Sequence, residues 1–520
     1  MQERLPNREL IASLTNSNDG VAFRAKTGHL HHTWAKTYSS LPELYIQPES
    51  VEELVKVVNL ARKLRRRIAL VGCGHSPSEL TCTSSWLINL DNFNKVISVD
   101  SSTRIVTTQS GIRLYALCEE LDKNGLAMAN LGSINEQSMG GVFATGTHGS
   151  SLLHGLISED ILAIKILLSD GTVKTCSASE NEDLFRAALI SLGALGIVVE
   201  VTFRAAPAFS LRWSQTVDTD TKMLSAWSST LWKQTHFVRV WWFPYTRRAV
   251  VWSAEETSEP HFDPPTSYYD GSLGYYVYLN LLYAARYVPS ILPWVEWFVF
   301  GMQYGFKNGT TTAAVQPSRK ALLMNCLYSQ YVNEWAIPLE KGPEALMRLG
   351  SWLNRLRPGD KDYVEHKIPF SNEGLWVHSP VEVRVADTTR TSSPRPFLDP
   401  TSKTGPTLYL NAIMYRPYLL DPPCLDRFYQ GFEWLMRDLG GRPHWAKNFQ
   451  VSDLDALYGD DLTKWREVRN EADPEGMFVG PWHRKFIMGD SEARLALEEC
   501  EEERRTVDKN GVRIEGSVIG

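Results

Sequence analysis

The sequence predicts an α+β protein with two main domains, and three observations support this. The chain has 520 residues, which is too long for one ordinary domain. Residues up to Pro207 alternate between helical and strand-like hydrophobic patterns, as in a nucleotide-binding domain. Beyond that point aromatic residues and prolines increase, and strand-like runs such as 237–243 and 407–415 predict a mainly antiparallel sheet. We therefore expect a first domain over 37–207 and a second over 208–435.

Local signals fix several elements of the first domain. Ser50, followed by Glu53, forms a capping box that predicts a helix through about Leu64. The apolar run 67–71 predicts a short strand that leads directly into a glycine-rich loop. Periodicity, turn dipeptides and cap residues predict further strands and helices. These are strands at 86–90, 104–109, 161–168, 172–176 and 197–203, and helices at 114–123 and 181–190.

The remaining segments complete the predicted organisation. An N-terminal arm covers 1–36, and a compact, Trp-rich closing segment covers 436–487. The tail, 488–520, is rich in charged residues, and we expect an exposed helix from Asp490 with a frayed end. The second domain also contains an aromatic, apolar insertion at 271–304.

Composition excludes some classes of function and cellular setting. The formal net charge is -6, so no basic field predicts a nucleic-acid partner. Seven scattered cysteines form no CxxC pair, which argues against a disulfide framework or a structural zinc site and indicates a reducing compartment. The first thirty residues contain Glu3, Glu9 and Asp19 and show no secretory signal, so an intracellular protein is expected.

The insertion at 271–304 leaves two interpretations open. Its longest uncharged run, 271–285, has 15 residues, short of the roughly 18–20 that a spanning helix needs. The abundance of Tyr and Trp is typical of an element that lies on a membrane surface. A buried helical hairpin in a large domain is the alternative.

Two glycine-rich loops indicate one extended, phosphate-bearing ligand. The first reads GCGHSP over 72–77 and follows a strand, but Pro77 replaces the third glycine of a Rossmann fingerprint. Its backbone N–H groups can still face an anion. The second loop, 132–150, reads GSINEQSMGGVFATGTHGS, and its glycines allow the backbone to approach a flat ligand closely.

These two loops carry a family resemblance. GHSPS at 74–78, followed by the second loop, resembles the PCMH-type FAD-binding domain of the vanillyl-alcohol-oxidase superfamily. Within that superfamily the chain is similar to the aldonolactone oxidoreductases, and most closely to the fungal D-arabinono-1,4-lactone oxidases. The resemblance runs from about Trp34 to His483 and implies a PCMH-type FAD-binding domain followed by a substrate (cap) domain on a mainly antiparallel sheet.

The resemblance implies a covalent FAD, linked through an 8α-histidyl bond to His75. A neutral imidazole is a competent nucleophile for that bond, although a histidine that only hydrogen-bonds phosphate or backbone is the alternative. Gly132 stands where an alanine in plant dehydrogenases hinders oxygen, which favours an oxidase. The other residues expected to hold the cofactor are Gly72, Cys73, Gly74, Ser76, Pro77, Ser133, Gly140, Gly141, Thr145, Gly146, His148, Gly149, Ile197, His444 and Lys447.

Three later side chains are the main candidates for catalysis. Glu382 and Arg384 are two residues apart on a predicted strand, so they share one face. A structural ion pair is the alternative to a site. Resemblance places this Glu-x-Arg pair over the flavin, and the HWAK motif at 444–447 returns Lys447 to the edge of the ring, where a cation would stabilise the anionic reduced flavin. Ser133 is expected to help orient the substrate.

The implied reaction is oxidation of an aldono-1,4-lactone at its 2-hydroxyl, with O2 reduced to H2O2, in the synthesis of D-erythroascorbate. The sequence leaves open whether Glu382 or Lys447 is the base. Alternatives are a dehydrogenase that uses cytochrome c or a quinone, an L-gulono-lactone, L-galactono-lactone or polyol oxidase, and, more remotely, a non-catalytic flavin-containing protein of the membrane surface. By resemblance we expect the mitochondrial membrane, with peripheral contact through 271–304.

No metal site is expected. His29, His31 and His32 lie close together, but no acidic or thiol partner is near them in the sequence.

Overall fold

The computed structural model describes residues 20–488, except 268, 270, 325–327, 379 and 452, and the backbone of two short strands in the tail. The N-terminal arm and the first domain together contain thirteen of the described strands, which we number in chain order. They are β1 (Ala25–Lys26), β2 (His31–His32), β3 (Ser39–Ser40), β4 (Leu44–Ile46), β5 (Ile68–Val71), β6 (Trp86–Asn89), β7 (Val96–Asp100), β8 (Ile105–Gln109), β9 (Leu126–Ala127), β10 (Ile161–Leu167), β11 (Val173–Ser177), β12 (Ile197–Arg204) and β13 (Ala206–Pro207).

These strands form two main sheets with helices packed against them. A four-stranded sheet has the order β1-β4-β6-β5, in which β4, β6 and β5 are parallel. A five-stranded antiparallel sheet has the order β11-β10-β12-β8-β7. The α-helices of this domain are Val51–Leu64, Leu114–Lys123, Met139–Ala144 and Glu182–Ala188. The strands and helices predicted here are therefore confirmed, with ends that differ by at most two residues.

The predicted capping box is only half formed. The hydroxyl of Ser50 accepts a hydrogen bond from the backbone N–H of Glu53 at 3.2 Å, and the helix begins at Val51. The carboxylate of Glu53 does not return to Ser50 but accepts from the backbone N–H of Glu49 at 2.9 Å and pairs with Arg24 at 3.2 Å. The charge of Arg24 outcompetes the backbone donor that the motif would use.

The second domain is built on an eight-stranded antiparallel sheet, which confirms the predicted type. Its order is β17-β14-β16-β15-β19-β20-β18-β21. The strands are β14 (Ser210–Thr219), β15 (Phe237–Phe243), β16 (Arg248–Thr257), β17 (Thr311–Pro317), β18 (Gln330–Pro338), β19 (Val381–Ala386), β20 (Thr407–Tyr415) and β21 (Arg442–Pro443). The helices that follow Pro207 are Asp220–Ser225, Ser272–Ala285, Leu292–Tyr304, Ser318–Ala321, Gly342–Leu353, Leu425–Asp438, Leu454–Tyr458, Asp460–Ala472 and Pro481–His483.

The register of this sheet aligns polar residues from different strands. Trp241 of β15 pairs with Glu382 of β19, which pairs with Asn411 of β20, which pairs with Glu334 of β18. Directly paired residues of an antiparallel ladder point to the same face. A row of functional side chains therefore crosses four strands on one face of the sheet.

The insertion at 271–304 forms two helices, Ser272–Ala285 and Leu292–Tyr304, which we call the apolar hairpin. One side of the hairpin is buried, with Tyr278 and Val295 at most 1% exposed. The other side faces solvent: Leu273 is 69% and Tyr287 is 72% exposed. The apolar hairpin is therefore not fully buried. No helix in the described part of the chain is long and apolar enough to cross a bilayer.

Two predictions concern residues at the margins of the described chain. The helix expected from Asp490 falls almost entirely outside the described residues, and the two described pieces of the tail are paired strands, β22 (Arg505–Val507) and β23 (Arg513–Glu515). Most of the N-terminal arm, 1–19, is also outside them. The five cysteines for which the structure describes the thiol are free.

Candidate active site

A cavity of about 810 Å³ lies between the glycine-rich loops of the first domain and the polar face of the large sheet. We call it the central cavity. It brings together most of the side chains that the sequence predicts for catalysis or for the flavin ring. These are His75, Ser76, Pro77, Gly132, Ser133, His148, Glu382, Arg384, His444 and Lys447.

A narrower channel of about 140 Å³ continues from the central cavity into the first domain. The two spaces share His75, Ser76 and Gln137 on their walls. The channel passes between the two glycine-rich loops, as expected for an elongated ligand that both loops hold. The predicted residues on its walls are Gly72, Cys73, Gly74, Gly140, Gly141 and Thr145.

His75 stands where the cavity and the channel meet. Its ring stacks on Trp34, with ring centroids 4.6 Å apart and planes at 18°. The backbone N–H of Trp34 donates to the carbonyl of Gly74 at 2.7 Å, so the partner ring is anchored to the same loop. Burial lowers the pKa of His75 to about 4, and the charge of Lys447 acts in the same direction. The imidazole is therefore neutral at physiological pH.

The predicted Glu-x-Arg pair lies on β19 and is buried. Arg384 Nε is 3.2 Å from Glu382 Oε1, and the side-chain amide of Asn411 donates to Glu382 Oε2 at 3.1 Å. Glu382 is 3% and Arg384 is 7% exposed. An ion pair between them exists, as the structural alternative requires, but both side chains also line the central cavity.

The centre of the charge network is Glu334, which the sequence reasoning missed. Its side chain is fully buried on β18. Glu334 Oε1 is 3.2 Å from His148 Nε2 and 3.3 Å from Arg384 Nη2, and Oε2 is 3.4 Å from Lys447 Nζ. One carboxylate therefore joins the second glycine-rich loop, the Glu-x-Arg strand and the HWAK segment.

Contacts with cationic neighbours keep the buried carboxylate of Glu334 charged. Burial alone would raise the pKa of Glu334, but the charges of Lys447 and Arg384 outweigh that effect and hold the pKa well below its usual range. Glu334 is thus an anion. The described walls of the central cavity carry three cationic side chains and two anionic ones. The cationic residues are Arg239, Arg384 and Lys447, and the anionic residues are Glu334 and Glu382. The wall has a net positive charge when its histidines are neutral.

His148, Glu334 and His444 lie close enough to form a candidate metal-binding group. Their hydrogen bonds do not favour this role. His444 Nδ1 accepts the backbone N–H of Ala446 at 3.1 Å, so the proton of the neutral ring is on Nε2, and burial lowers its pKa well below the usual value. The carboxylate is already in contact with two cationic side chains. A divalent cation would have to displace or oppose both charges.

The two glycine-rich loops fit the flavin nucleotide that the sequence implies. Three buried polar atoms near the junction have no hydrogen-bond partner among the described residues: Ser133 Oγ, Gln137 Oε1 and Ser138 Oγ. Buried polar groups normally have partners, so these atoms are available to a ligand. A Cβ on Gly141 would meet no protein atom within 4 Å, because this position faces the open channel. When bound, FAD would supply the electron acceptor at this site.

Three residues predicted to hold the cofactor are not on the described walls of either space. Gly146 has φ +74 and serves the turn of its loop, and a Cβ on Gly149 would collide with Asn130. Ile197 is fully buried in a hydrophobic cluster of the first domain. Its neighbours Gly196 and Val198 line the channel instead, because alternate residues of a strand point to opposite sides.

Signals for the missed wall residues were present but weak. Arg239 is a single charge in the run FVRVWWF, and Glu334 interrupts the apolar end of QYVNEWAIP. A charge in such a strand indicates either an edge or a site. Asn411 gives no comparable signal. Only the pairing of β15, β18, β19 and β20 brings these positions close to Glu382.

Comparison with known proteins agrees with this geometry. The family model described as D-arabinono-1,4-lactone oxidase matches residues 201–486, and a model described as an FAD-binding domain matches 42–177. Solved structures with the same fold include a cholesterol oxidase from Brevibacterium sterolicum, with a TM-score of 0.73 and 16% identity, covering 91% of this chain and 98% of that one. The predicted PCMH-type fold is thereby confirmed.

Similar sequences come from several fungi. A Neurospora crassa protein assigned to the D-arabinono-1,4-lactone oxidases is 60% identical and covers 96% of this chain and 94% of its own length. The D-arabinono-1,4-lactone oxidase of Yarrowia lipolytica is 40% identical, covering 88% and 96%. That of Saccharomyces cerevisiae is 36% identical, covering 89% and 97%. The chain is therefore an FAD-dependent oxidoreductase that belongs to the D-arabinono-1,4-lactone oxidase family.

Proposed function

We propose that the protein oxidises D-arabinono-1,4-lactone, or a similar aldono-1,4-lactone, at its 2-hydroxyl and transfers the electrons to O2, forming H2O2 in D-erythroascorbate synthesis. The observation that carries this proposal is the shared cavity of His75, Glu382, Arg384 and Lys447. The names of the relatives support the substrate class. Gly132 lines the central cavity without a side chain, which supports oxygen as acceptor because no Cβ narrows the cavity at this position.

The surroundings of the two carboxylates favour Glu382 as the proton acceptor. Glu334 is in contact with His148, Arg384 and Lys447, so its charge is already neutralised by donors. Glu382 has fewer such contacts and lines the cavity beside Arg384. We assign removal of the hydroxyl proton to Glu382. Arg384 and Ser133 orient the substrate oxygens, and Lys447 is paired with Glu334.

We also propose that His75 carries the covalent flavin bond. The stack on Trp34 limits rotation of the imidazole, and the low pKa keeps its nucleophilic nitrogen unprotonated. Its place at the junction of the cavity and the channel is where a ring joined to a nucleotide tail would pass.

A peripheral membrane location, which we propose to be the mitochondrial membrane, is supported by the apolar hairpin. Trp294 is 50% and Trp297 is 44% exposed, in addition to Leu273 and Tyr287. Exposed aromatic and aliphatic side chains on adjacent helices suit the interfacial layer of a bilayer. The hairpin also borders the central cavity through Tyr276.

Purified protein in air should form one H2O2 for each D-arabinono-1,4-lactone oxidised, because the electrons go to oxygen. The measurement is peroxide release with a panel of aldonolactones and polyols, together with anaerobic reduction of the bound flavin. Flavin reduction by the lactone with slow reoxidation in air, but rapid reoxidation by cytochrome c or a quinone, would replace the oxidase with a dehydrogenase. No reduction by any aldonolactone would reject the function.

His75→Ala should yield protein from which acid precipitation releases all of the flavin, since the tether is gone. Wild-type protein should keep its yellow colour in the pellet. The matched control is His32→Ala, a nearby exposed histidine that does not line the cavity, and it should retain the bound flavin. Free release of flavin from the wild type would reject the covalent link.

Glu382→Gln and Glu334→Gln should fail in different ways. Loss of a general base lowers turnover about 10²- to 10⁴-fold, so Glu382→Gln should fold and bind flavin but react slowly. Glu334→Gln leaves buried cations without their anion and should lower the free energy of unfolding by about 3–5 kcal/mol. Urea denaturation and stopped-flow flavin reduction separate these outcomes. Glu259→Gln, in an exposed pair with Arg212, is the control and should change stability by less than about 1 kcal/mol.

Replacing Trp294 and Trp297 together by serine should weaken binding to vesicles that contain anionic lipid, because the buried apolar area is lost. Vesicle flotation measures the change, and lactone turnover in solution should stay the same. Tyr115→Ser, at an exposed aromatic residue of the first domain, should not affect flotation. Equal flotation of the wild type, the double tryptophan variant and Tyr115→Ser would contradict the role of the apolar hairpin. Absence of the protein from the mitochondrial fraction of fungal cells would contradict the proposed location.

A further inference from the structure

Arg239 is a buried cation in the wall of the central cavity to which no role has been given. It lies on β15 and is 9% exposed. Its guanidinium donates to the carbonyls of Leu322 at 3.0 Å and Leu323 at 3.5 Å and lies 4.1 Å from the centre of the Trp252 ring. The described residues thus accept two of its five N–H donors, and no described carboxylate forms an ion pair with it.

The nearest charge of the same sign is Arg384. Val240 pairs with Val383 and Trp241 pairs with Glu382, so the next position along this antiparallel ladder sets Arg239 beside Arg384. Both guanidinium groups share the face that lines the cavity. Burial lowers the pKa of Arg239 to about 10; the nearby charge of Glu382 opposes this shift, and that of Arg384 adds to it. Even so, Arg239 is fully charged at physiological pH.

Two adjacent buried guanidinium groups are costly unless an electron-rich partner faces them. Arg384 forms ion pairs with Glu334 and Glu382. The direct contacts of Arg239 with described residues are instead to neutral carbonyls and an aromatic ring, and Glu382 acts on it only as a nearby charge. The planar fork of an arginine is well suited to a carbonyl or carboxylate oxygen. The position therefore calls for a ligand oxygen that carries partial negative charge.

The substrate class of the proposed function offers such an oxygen. In an aldono-1,4-lactone the ring carbonyl is bonded directly to the carbon that bears the oxidised hydroxyl. Arg239 and Glu382 are diagonal neighbours on adjacent strands, a spacing that long side chains bridge. One small ring can therefore present its hydroxyl to Glu382 and its carbonyl to Arg239.

We propose that Arg239 binds the carbonyl oxygen of the lactone and is the residue by which the site selects aldonolactones over polyols. This inference rests on the proposed function. A polyol offers hydroxyl groups but no carbonyl, and it leaves the guanidinium of Arg239 without its acceptor. Arg384 orients other substrate oxygens from its own position, where it is paired with Glu334 and Glu382.

The test compares two unreactive ligands that differ only in the carbonyl: the 2-deoxy lactone and the cyclic ether in which a methylene replaces the carbonyl. Calorimetric titration of the flavin-loaded protein gives both values of Kd. Arg239→Met should weaken binding of the 2-deoxy lactone about 10- to 100-fold, the value of a hydrogen bond from a charged donor, and should leave the ether within about threefold. Arg239→Lys keeps the charge but lacks the planar guanidinium, so its Kd for the 2-deoxy lactone should lie between those of the wild type and Arg239→Met.

Arg212→Met, on the same sheet but in an exposed ion pair, is the matched control and should bind both ligands as the wild type does. Equal weakening of both ligands by Arg239→Met, or a change in the flavin absorbance spectrum, would overturn the proposal in favour of a structural or cofactor-directed role. Unchanged binding of both would also overturn it. Failure of the proposed function is distinguishable, because wild-type protein would then oxidise no aldonolactone whatever the variant binds.

Discussion

The contact between the buried carboxylate of Glu334 and its cationic neighbours is the constraint on which the site depends. A charge so far from water is tolerated only if opposite charges and donors surround it. Here they come from three distant segments, through His148, Arg384 and Lys447. The glycine-rich loop, the central strand of the sheet and the closing segment must therefore meet in one arrangement. The same contacts keep the ammonium and the guanidinium fixed beside the cavity.

The two domains contribute different kinds of chemistry. The first domain supplies backbone: its loops approach closely, leave polar atoms such as Ser133 Oγ without protein partners, and place His75 at a junction. The second domain supplies charge on a rigid sheet, where side chains have little freedom. This division allows the loops to hold a cofactor while the sheet determines which small molecule is accepted.

Elements that depend on neighbouring residues in the chain were predicted well from the sequence, whereas site residues that depend on the pairing of distant strands were missed. The helix after Ser50, the strand Phe237–Phe243 and the glycine-rich loops follow from periodicity, cap residues and turn chemistry. The Glu-x-Arg pair was found because both residues lie on one strand. Glu334 and Arg239 were missed because their role depends on which strands are neighbours, and local sequence patterns do not show how distant strands pair. The capping box misled for a similar reason, since a charge from outside the helix took over its second half.

The row Trp241, Glu382, Asn411 and Glu334 has a consequence for how the family can diverge. Inserting or deleting one residue in any of these strands would rotate its functional side chain into the opposite layer and bring an apolar neighbour into the pocket. Length changes inside the strands are therefore unfavourable unless a β-bulge restores the register. New substrate preferences must arise by exchange of residues at alternate positions, while the connecting loops remain free to grow or shrink.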